Sequence, residues 1–572
     1  GDVYKRQTMT TPTRNDRPIV LSDPADLDPT LSHQVGRTDV DLLDETIGQC
    51  LARIVAEYPD HDAVIDFYGD VHLTYTEFYR KVQRLASGLH AAGYRKGDRI
   101  GIWAPNRWEW TLVQFATAEI GAILVCINPS YRHKELVYAM GQSGVKGLFS
   151  AGRFKDSNYR AMIDAAESQF SRHNYKETIF FGSERWDELA NHAILDLNPV
   201  REQLHPDDPI NIQYTSGTTG MAKGATLTHR NILNNGYLVG ETLQYTDQDK
   251  VVIPVPFFHC FGMVMGNLGA ITHGATTIIA GPVFNPQSVL EAVEHGKATS
   301  LFGVPTMFMA ELDEIEHAKA KGKTYDLSSL RTGIMSGTAC PTRTMRQVMD
   351  IMNINEITIA YGMTETSPVN HQTLVDDPIE KRVGTVGRPN PHIEVKIVDP
   401  ETGETVKRGE QGEILIRGFL VMQGYWDMPG KTADAIDEDG WMHSGDLGTM
   451  DEEGYARITG RAKDMVIRGG ENLYPREIEE FLMTHPDISD VQVVGVPDEK
   501  YGEELMAFII MREDAEPLDQ AAIREFCAGD LTRHKIPKYV ECVDSFPMTL
   551  SGKVRKVELR EHAVELLGIY QK

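Results

Sequence analysis

Three glycines, four hydroxyl side chains and one lysine are gathered in the stretch Tyr214-Thr215-Ser216-Gly217-Thr218-Thr219-Gly220-Met221-Ala222-Lys223-Gly224. The glycines let the backbone fold tightly and turn its N–H groups inward. Thr215, Ser216, Thr218 and Thr219 add donors and Lys223 brings a positive charge, so the run is built to wrap a phosphate. It is not the common P-loop, because the residue five after Gly217 is Ala222 and Lys223 is followed by Gly224 instead of Ser or Thr. Nor does it carry the Gly-x-Gly-x-x-Gly of dinucleotide-binding folds. Glycines and hydroxyls alone suit a surface loop equally well, and it is the complete string that singles out an anion site.

Further residues able to do chemistry lie downstream. Ile359-Ala360-Tyr361-Gly362-Met363-Thr364-Glu365-Thr366-Ser367 sets a carboxylate and hydroxyls just past a predicted strand, where open α/β sheets bind ligands; alone, it reads more commonly as a capped turn with a solvated glutamate. Trp441-Met442-His443-Ser444-Gly445-Asp446-Leu447-Gly448 presents an aspartate suited to accept from both hydroxyls of a ribose, with an ordinary turn as the alternative. Gly469-Gly470-Glu471-Asn472-Leu473-Tyr474-Pro475 is either a hairpin turn or a place where a long thin cofactor arm passes close to backbone. Phe546-Pro547-Met548-Thr549-Leu550-Ser551-Gly552-Lys553-Val554-Arg555-Lys556 carries a lysine that, out of context, is a solvated surface charge.

In this order and at these intervals, the strings resemble the signatures of the adenylate-forming superfamily of acyl-CoA synthetases, peptide-synthetase adenylation domains and beetle luciferase, from about residue 40 onward. The resemblance implies that ATP is held by Thr215 to Lys223, with Tyr361 stacking on adenine, Asp446 on the ribose and Arg461 as a second ribose and phosphate contact. It makes Glu365 the Mg²⁺ ligand, Thr364 a phosphate or metal contact, and Lys553, with Lys223, Glu365 and Thr364, the catalytic set. Lys463 falls on the hinge, and Gly469, Gly470 and Glu471 line the tunnel for the pantetheine arm of coenzyme A. His259, Phe261, Gly303, Gly337 and Ser367 are the acyl-pocket candidates. ATP, Mg²⁺ and coenzyme A are the implied cofactors.

The elements that must position these residues follow from local pattern. Thr74-Tyr75-Thr76-Glu77 is a capping box; Phe78, Val82, Leu85 and Leu89 continue a helical face, and Gly93 stops it. Strands at 99–103, 123–127 and 145–149 alternate with helices at 108–121 and 134–140, which implies a parallel sheet. The stretch 151–209 shows weak periodicity and reads as an insertion. Residues 210–214 and 225–228 form a hairpin that the phosphate loop caps. Strands at 275–280, 300–304, 330–336 and 356–360 and a helix from Pro341 to about Asn353 make a second α/β half, with Pro341 in the helix's first turn. From Glu394 short glycine-broken strands predict a small β subdomain.

The expected organisation is a lead-in over 1–40, whose first eight residues precede Met9 and are expected to be non-native, a large α/β domain over 41–460 with two lobes plus the β subdomain, and a smaller mobile α+β domain over 461–572.

Composition narrows the function. Lys and Arg total 57 against 83 Asp and Glu, and the net charge of −26 argues against unspecific binding to nucleic acid or anionic membranes. The six cysteines are scattered without metal-binding spacing, and the N-terminus lacks an apolar signal core, so a cytoplasmic protein with reduced thiols is expected. Val251 to Leu290 contains no Asp, Glu, Lys or Arg, yet Pro254, Pro256, Gly262, Gly266 and Gly274 interrupt it, while a membrane span needs ~20 mostly apolar residues in a row. Buried strands and a pocket wall are expected there.

The segment Pro256-Phe257-Phe258-His259-Cys260-Phe261-Gly262 lacks the aspartate that adenylation domains use for an α-ammonium, so an apolar acid is the expected substrate. Within the superfamily the chain looks most like medium-chain fatty acyl-CoA synthetases. Aryl (coumarate-like) CoA ligases come next, then a luciferase-like oxygenase or a non-catalytic nucleotide-binding scaffold. The expected partners are small molecules, with room for a homodimer.

Overall fold

The computed structural model describes residues 19–170, 174–215, 221–469, 471–528, 530–550 and 552–569. The phosphate-loop residues Ser216 to Gly220, together with Gly470, lie outside the described residues.

Among the described residues the first lobe is a seven-stranded sheet in the order Gly424–Tyr425, Lys223–Thr228, Pro209–Thr215, Ile123–Cys126, Arg99–Trp103, Gly147–Ser150, Glu177–Phe180. From Pro209–Thr215 outward to Glu177–Phe180 the neighbours run parallel, as the alternation of strands and helices demands. The hairpin of Pro209–Thr215 and Lys223–Thr228 is antiparallel and pairs Thr215 with Lys223.

The second lobe is a nine-stranded sheet ordered Arg388–Pro389, Val369–Gln372, Glu356–Gly362, Thr332–Met335, Ser300–Gly303, Lys250–Val252, Thr276–Ile279, Asp62–Asp66, Val71–Thr74. Two of its strands therefore come from before the phosphate loop, and the lobes interleave in sequence instead of following one another. The helix Trp108–Glu119 is buried along nearly its whole length and packs on Tyr75–Ala91, which opens with the expected capping box at Thr74 and ends ahead of Gly93 at φ +93°. One apolar core runs through both lobes, while the C-terminal sheet of Glu471–Leu473, Val466–Arg468, Gly502–Met511, Ile488–Asp498 and Tyr539–Cys542 has cores of its own. A large α/β domain and a small α+β domain result.

Four local expectations need correction. The stretch 151–209 is not an insertion: Glu177–Phe180 closes the first lobe's sheet, and the helices Tyr159–Phe170 and Glu184–Ala190 bury Tyr159, Phe170, Trp186 and Leu189. The lead-in is not detached through residue 40, because His33–Val35 pairs with Glu394–Lys396 as the edge strand of the β subdomain. Pro341 is the N-cap of Thr342–Met352, just outside its first turn.

The uncharged run is only partly strand: Phe261–Leu268 is a π-helix, with Gly262 against the Pro256 carbonyl and Gly266 against Ile253, approaches a side chain would forbid. Among the described residues no helix is long and apolar enough to cross a membrane.

Candidate active site

The hairpin delivers Lys223 and the turn after Glu356–Gly362 delivers Glu365 to one place. Thr215 Oγ1 donates to the Lys223 carbonyl at 3.3 Å, and the Tyr138 hydroxyl donates to the Ala222 carbonyl at 2.7 Å; Met221 beside it is exposed. The Lys223 ammonium lies 4.6 Å over the Tyr425 ring, and the Tyr425 hydroxyl donates to Glu365 Oε1 at 2.8 Å. Glu365 is 7% exposed, in the turn Thr364–Thr366, with Thr364 half-buried ahead of it. Burial and the adjoining carboxylate push the Tyr425 phenol far above its ordinary range, so it remains a donor.

The second constellation is Asp446 with Arg461 and Tyr361. Asp446 and Arg461 face each other across neighbouring strands, with Nε 3.3 Å from Oδ1, and the Tyr361 hydroxyl donates to Oδ2 at 2.5 Å. Burial, then Asp446, raises the Tyr361 phenol well above the ordinary value, which keeps that donor in place.

Lys553 arrives from the small domain. The backbone of Gly552, at φ +79°, lies against Val304, whose Cγ2 would be 2.6 Å from a Cβ added there, and Thr306 is also adjacent. The turn is closed by Thr549 N–H on the Lys553 carbonyl at 2.8 Å and Lys553 N–H on Thr549 Oγ1 at 3.1 Å. Lys553 keeps an exposed flank within the interdomain cleft. Desolvation there, then Arg461, lowers its ammonium pKa, while Asp446 and Glu365 act in the opposite direction. The lysine thus stands within electrostatic reach of both constellations.

Beside it, His259 is held neutral: burial and then Lys553 push its imidazole down to about 3. Its ring is 4.1 Å from that of Phe258, and Phe261 stacks on Phe302 at 5.6 Å. A Cβ on Gly303 would meet the Phe308 ring at 2.9 Å, and one on Gly337, at φ +97°, would meet Val304 at 3.0 Å. Val304 is therefore where the acyl-pocket candidates and the Lys553 loop meet. Ser367 stands apart from them: it is fully buried and its hydroxyl donates to the Leu420 carbonyl at 2.5 Å.

The remaining candidates lie in or next to the small domain. Lys463 is in the turn Ala462–Asp464 between the two domains' strands, its pKa lowered by burial and then by Arg461, and Asp464 pairs with Arg560 at 2.9 Å. Gly469 donates its N–H to the Tyr501 carbonyl at 2.8 Å and Glu471 pairs with His534 at 3.0 Å, contacts that stay within the small domain. The structure so brings Lys223, Glu365, Asp446, Arg461 and Lys553 toward one cleft and leaves Gly469 and Glu471 outside it. Sequence reading missed Tyr425, Tyr138 and Val304. A Tyr-Trp pair in Gly424-Tyr425-Trp426 offers no local sign of what it touches.

Among the described residues no three His, Cys, Asp or Glu side chains cluster to cage a metal. The single carboxylate of Glu365 fits a magnesium ion that takes the rest of its shell from nucleotide phosphates and water.

Residues 51–426 match the model of the AMP-binding enzyme family, and 477–553 match that of the AMP-binding enzyme C-terminal domain. YngI of Bacillus subtilis strain 168, which carries an acyl-CoA synthetase name, is 46% identical over 552 residues, 92% of this chain and 99% of that protein. The mitochondrial medium-chain acyl-CoA ligase ACSF2 of Homo sapiens is 40% identical, over 94% of this chain and 91% of its own length. ATP-bound MatB from Rhodopseudomonas palustris superposes with a TM-score of 0.81 at 29% identity, over 92% of this chain and all (100%) of that one. The family match takes in both phosphate-site motifs, the hairpin and the Glu365 turn, and the chain belongs to the AMP-binding enzyme family.

Proposed function

We propose that the chain is an AMP-forming fatty acid–CoA ligase with a preference for medium-chain acids. One observation carries the proposal: Gly552 is seated on Val304 and Thr306, so the small domain presents Lys553 to the cleft that holds Asp446, Arg461 and Glu365. This is the domain arrangement that adenylation calls for. The likeness to ACSF2, and the apolar neighbours Phe308 and Val304 against Gly303 and Gly337, support a fatty acid as the acid activated.

In the first step a carboxylate oxygen attacks the α-phosphorus of ATP, the bond to the bridging oxygen breaks, and pyrophosphate leaves with the electron pair. The hairpin residues around Thr215 and Lys223 hold the phosphates, Asp446 and Arg461 hold the ribose beside Tyr361, and Lys553 stabilises negative charge that grows on the phosphoryl oxygens. Glu365, with Thr364 beside it, would hold Mg²⁺, which when bound neutralises phosphate charge. Neutral His259 stands at the acyl side without adding a competing cation.

In the second step the small domain turns about Lys463, withdraws Lys553 and brings Gly469, Gly470 and Glu471 to the cleft. The CoA thiol gives its proton to solvent, its sulfur attacks the acyl carbon, the acyl C–O bond to the phosphate breaks, and AMP departs with the electron pair; closure keeps bulk water from the mixed anhydride. The scattered free cysteines support a cytoplasmic setting. Whether the enzyme works alone or as a homodimer is decided by light scattering. The test of the reading is pyrophosphate release across fatty, aryl and amino acids, with CoA thioester identified by mass. Octanoate-like acids should lead. A clear preference for hydroxylated cinnamates would reassign the chain to the aryl-CoA ligases, and pyrophosphate release without any thioester would overturn the second step.

A further inference from the structure

One short strap joins the two phosphate-site motifs. The N–H of Met422 donates to the Glu365 carbonyl at 3.0 Å, tying the strap to the turn that bears the metal-binding carboxylate. At the next residue it switches partners. Gln423 N–H donates to the Thr226 carbonyl at 3.0 Å and Trp426 N–H to the Gly224 carbonyl at 2.7 Å, while Tyr425 pairs with Ala225 as an added edge strand of the phosphate hairpin. Tyr425 stands where these ties converge. It is 4% exposed, its ring lies 4.6 Å under the Lys223 ammonium, and its hydroxyl is 2.8 Å from Glu365 Oε1.

Each end of this side chain has a separate physical effect. The ring face attracts the ammonium and limits where Lys223 can stand. The hydroxyl occupies one carboxylate oxygen of Glu365, and among the described residues Oε2 carries no hydrogen bond, so the carboxylate is turned with one oxygen available. An oriented carboxylate binds a cation without first having to lose its own rotational freedom.

We propose that Tyr425 is a positioning residue that sets Lys223 and Glu365 as one unit, so that the phosphate-binding cation and the magnesium-binding carboxylate are held in register. The inference rests on the ligase reading for the roles of Lys223 and Glu365. Tyr425 itself touches neither reacting atom.

The test uses the full chain, Mn²⁺ as the metal probe, and α,β-methylene-ATP as an unreactive nucleotide, with bound Mn²⁺ read by electron paramagnetic resonance. Tyr425→Phe keeps the ring beneath Lys223 and removes only the hydroxyl. It should weaken Mn²⁺ binding to the nucleotide complex by about 10- to 100-fold, the usual effect of losing a hydrogen-bond partner of a metal ligand, and leave nucleotide affinity in EDTA unchanged. Tyr425→Leu removes the ring as well and should also weaken the nucleotide in EDTA. CoA thioester formation from supplied acyl-adenylate should stay near wild type in Tyr425→Phe. A double cycle supplies a second measurement: Tyr425→Phe combined with Glu365→Gln should weaken Mn²⁺ no more than Glu365→Gln alone.

Mn²⁺ affinity unchanged in Tyr425→Phe, additive effects in the cycle, or equal losses in both half-reactions would overturn the proposal. If the wild-type chain releases no pyrophosphate with any carboxylic acid, the ligase reading fails, and the Mn²⁺ measurement still decides the role of Tyr425.

Discussion

Glu311 is fully buried, and neither of its carboxyl oxygens has a hydrogen-bond partner among the described residues. Burial raises its pKa well above the ordinary value, so the folded chain holds it protonated. A raised folded pKa means that its contribution to stability is greatest in acid and is lost as pH rises from the unfolded value toward the folded one. Replacing Glu311 with Met should therefore stabilise the protein at neutral pH by about 1–3 kcal/mol, with the gain shrinking as pH falls toward ~4.5 and levelling off below it, as read by urea unfolding across pH. Destabilisation at neutral pH would mean that the carboxyl has a partner supplied from outside the chain.

Glu394 has the opposite sign. Burial disfavours its charge, but hydrogen bonds from His33, Ser22 and Arg417 outweigh that and hold its pKa down to about 2. Stability from this group is present above the ordinary carboxylate value of 4.5 and is lost as pH falls toward about 2. Glu394→Gln should cost about 1.5–3 kcal/mol, because half-buried Arg417 loses the anion it is hydrogen-bonded to. Hydrogen exchange should show residues 22–35 released first; loss of global stability with those amides still protected would contradict the assignment.

At the level of elements, what sequence revealed was what neighbours in the chain decide. Thr74 and Glu77 are three apart, and their capping box forms as expected. The hairpin strands flank their loop, and the parallel strands announce themselves by alternation with helices. What stayed hidden depends on distant partners: His33–Val35 is only three residues long and becomes a strand because residues 394–396 offer an edge. Tyr425 donates to Glu365, 60 positions away. The π-helix Phe261–Leu268 reads as buried wall because, apart from Asn267, its residues are apolar or glycine, which removes the periodicity that distinguishes helix from strand.

These same elements frame the acyl pocket candidate, and a prediction belongs here. Each buried CH₂ should contribute ~0.8 kcal/mol, so kcat/KM should climb about threefold to fourfold per carbon from butyrate and then flatten at medium length. Gly303→Val, whose Cβ would press on the Phe308 ring at 2.9 Å, should move the plateau to shorter acids while ATP affinity holds. An unchanged plateau would place the acyl tail elsewhere.

Over the whole molecule, the decisive feature is that the site is shared between domains. The large domain contributes Lys223, Glu365 and Asp446, whereas Lys553 belongs to a domain with cores of its own and reaches the cleft through the Gly552 contact with Val304. The candidate CoA residues Gly469 and Glu471 are meanwhile engaged with Tyr501 and His534, and on the proposed reading a second arrangement would serve thioester formation. Sequence gave the order of these motifs, but not which of them stand together in one state, because that depends on the angle between two separately packed bodies.

The most direct measurement is the effect of Lys553→Ala on the two half-reactions taken separately. Its charge is expected to serve only adenylate formation, so the variant should lose ~2.7–4 kcal/mol of barrier lowering, about a hundredfold to a thousandfold in rate, in fatty-acid-dependent pyrophosphate release. CoA thioester formation from supplied acyl-adenylate should proceed near the wild-type rate. Equal losses in both half-reactions would contradict a two-state enzyme in which Lys553 works in one state and is withdrawn in the other.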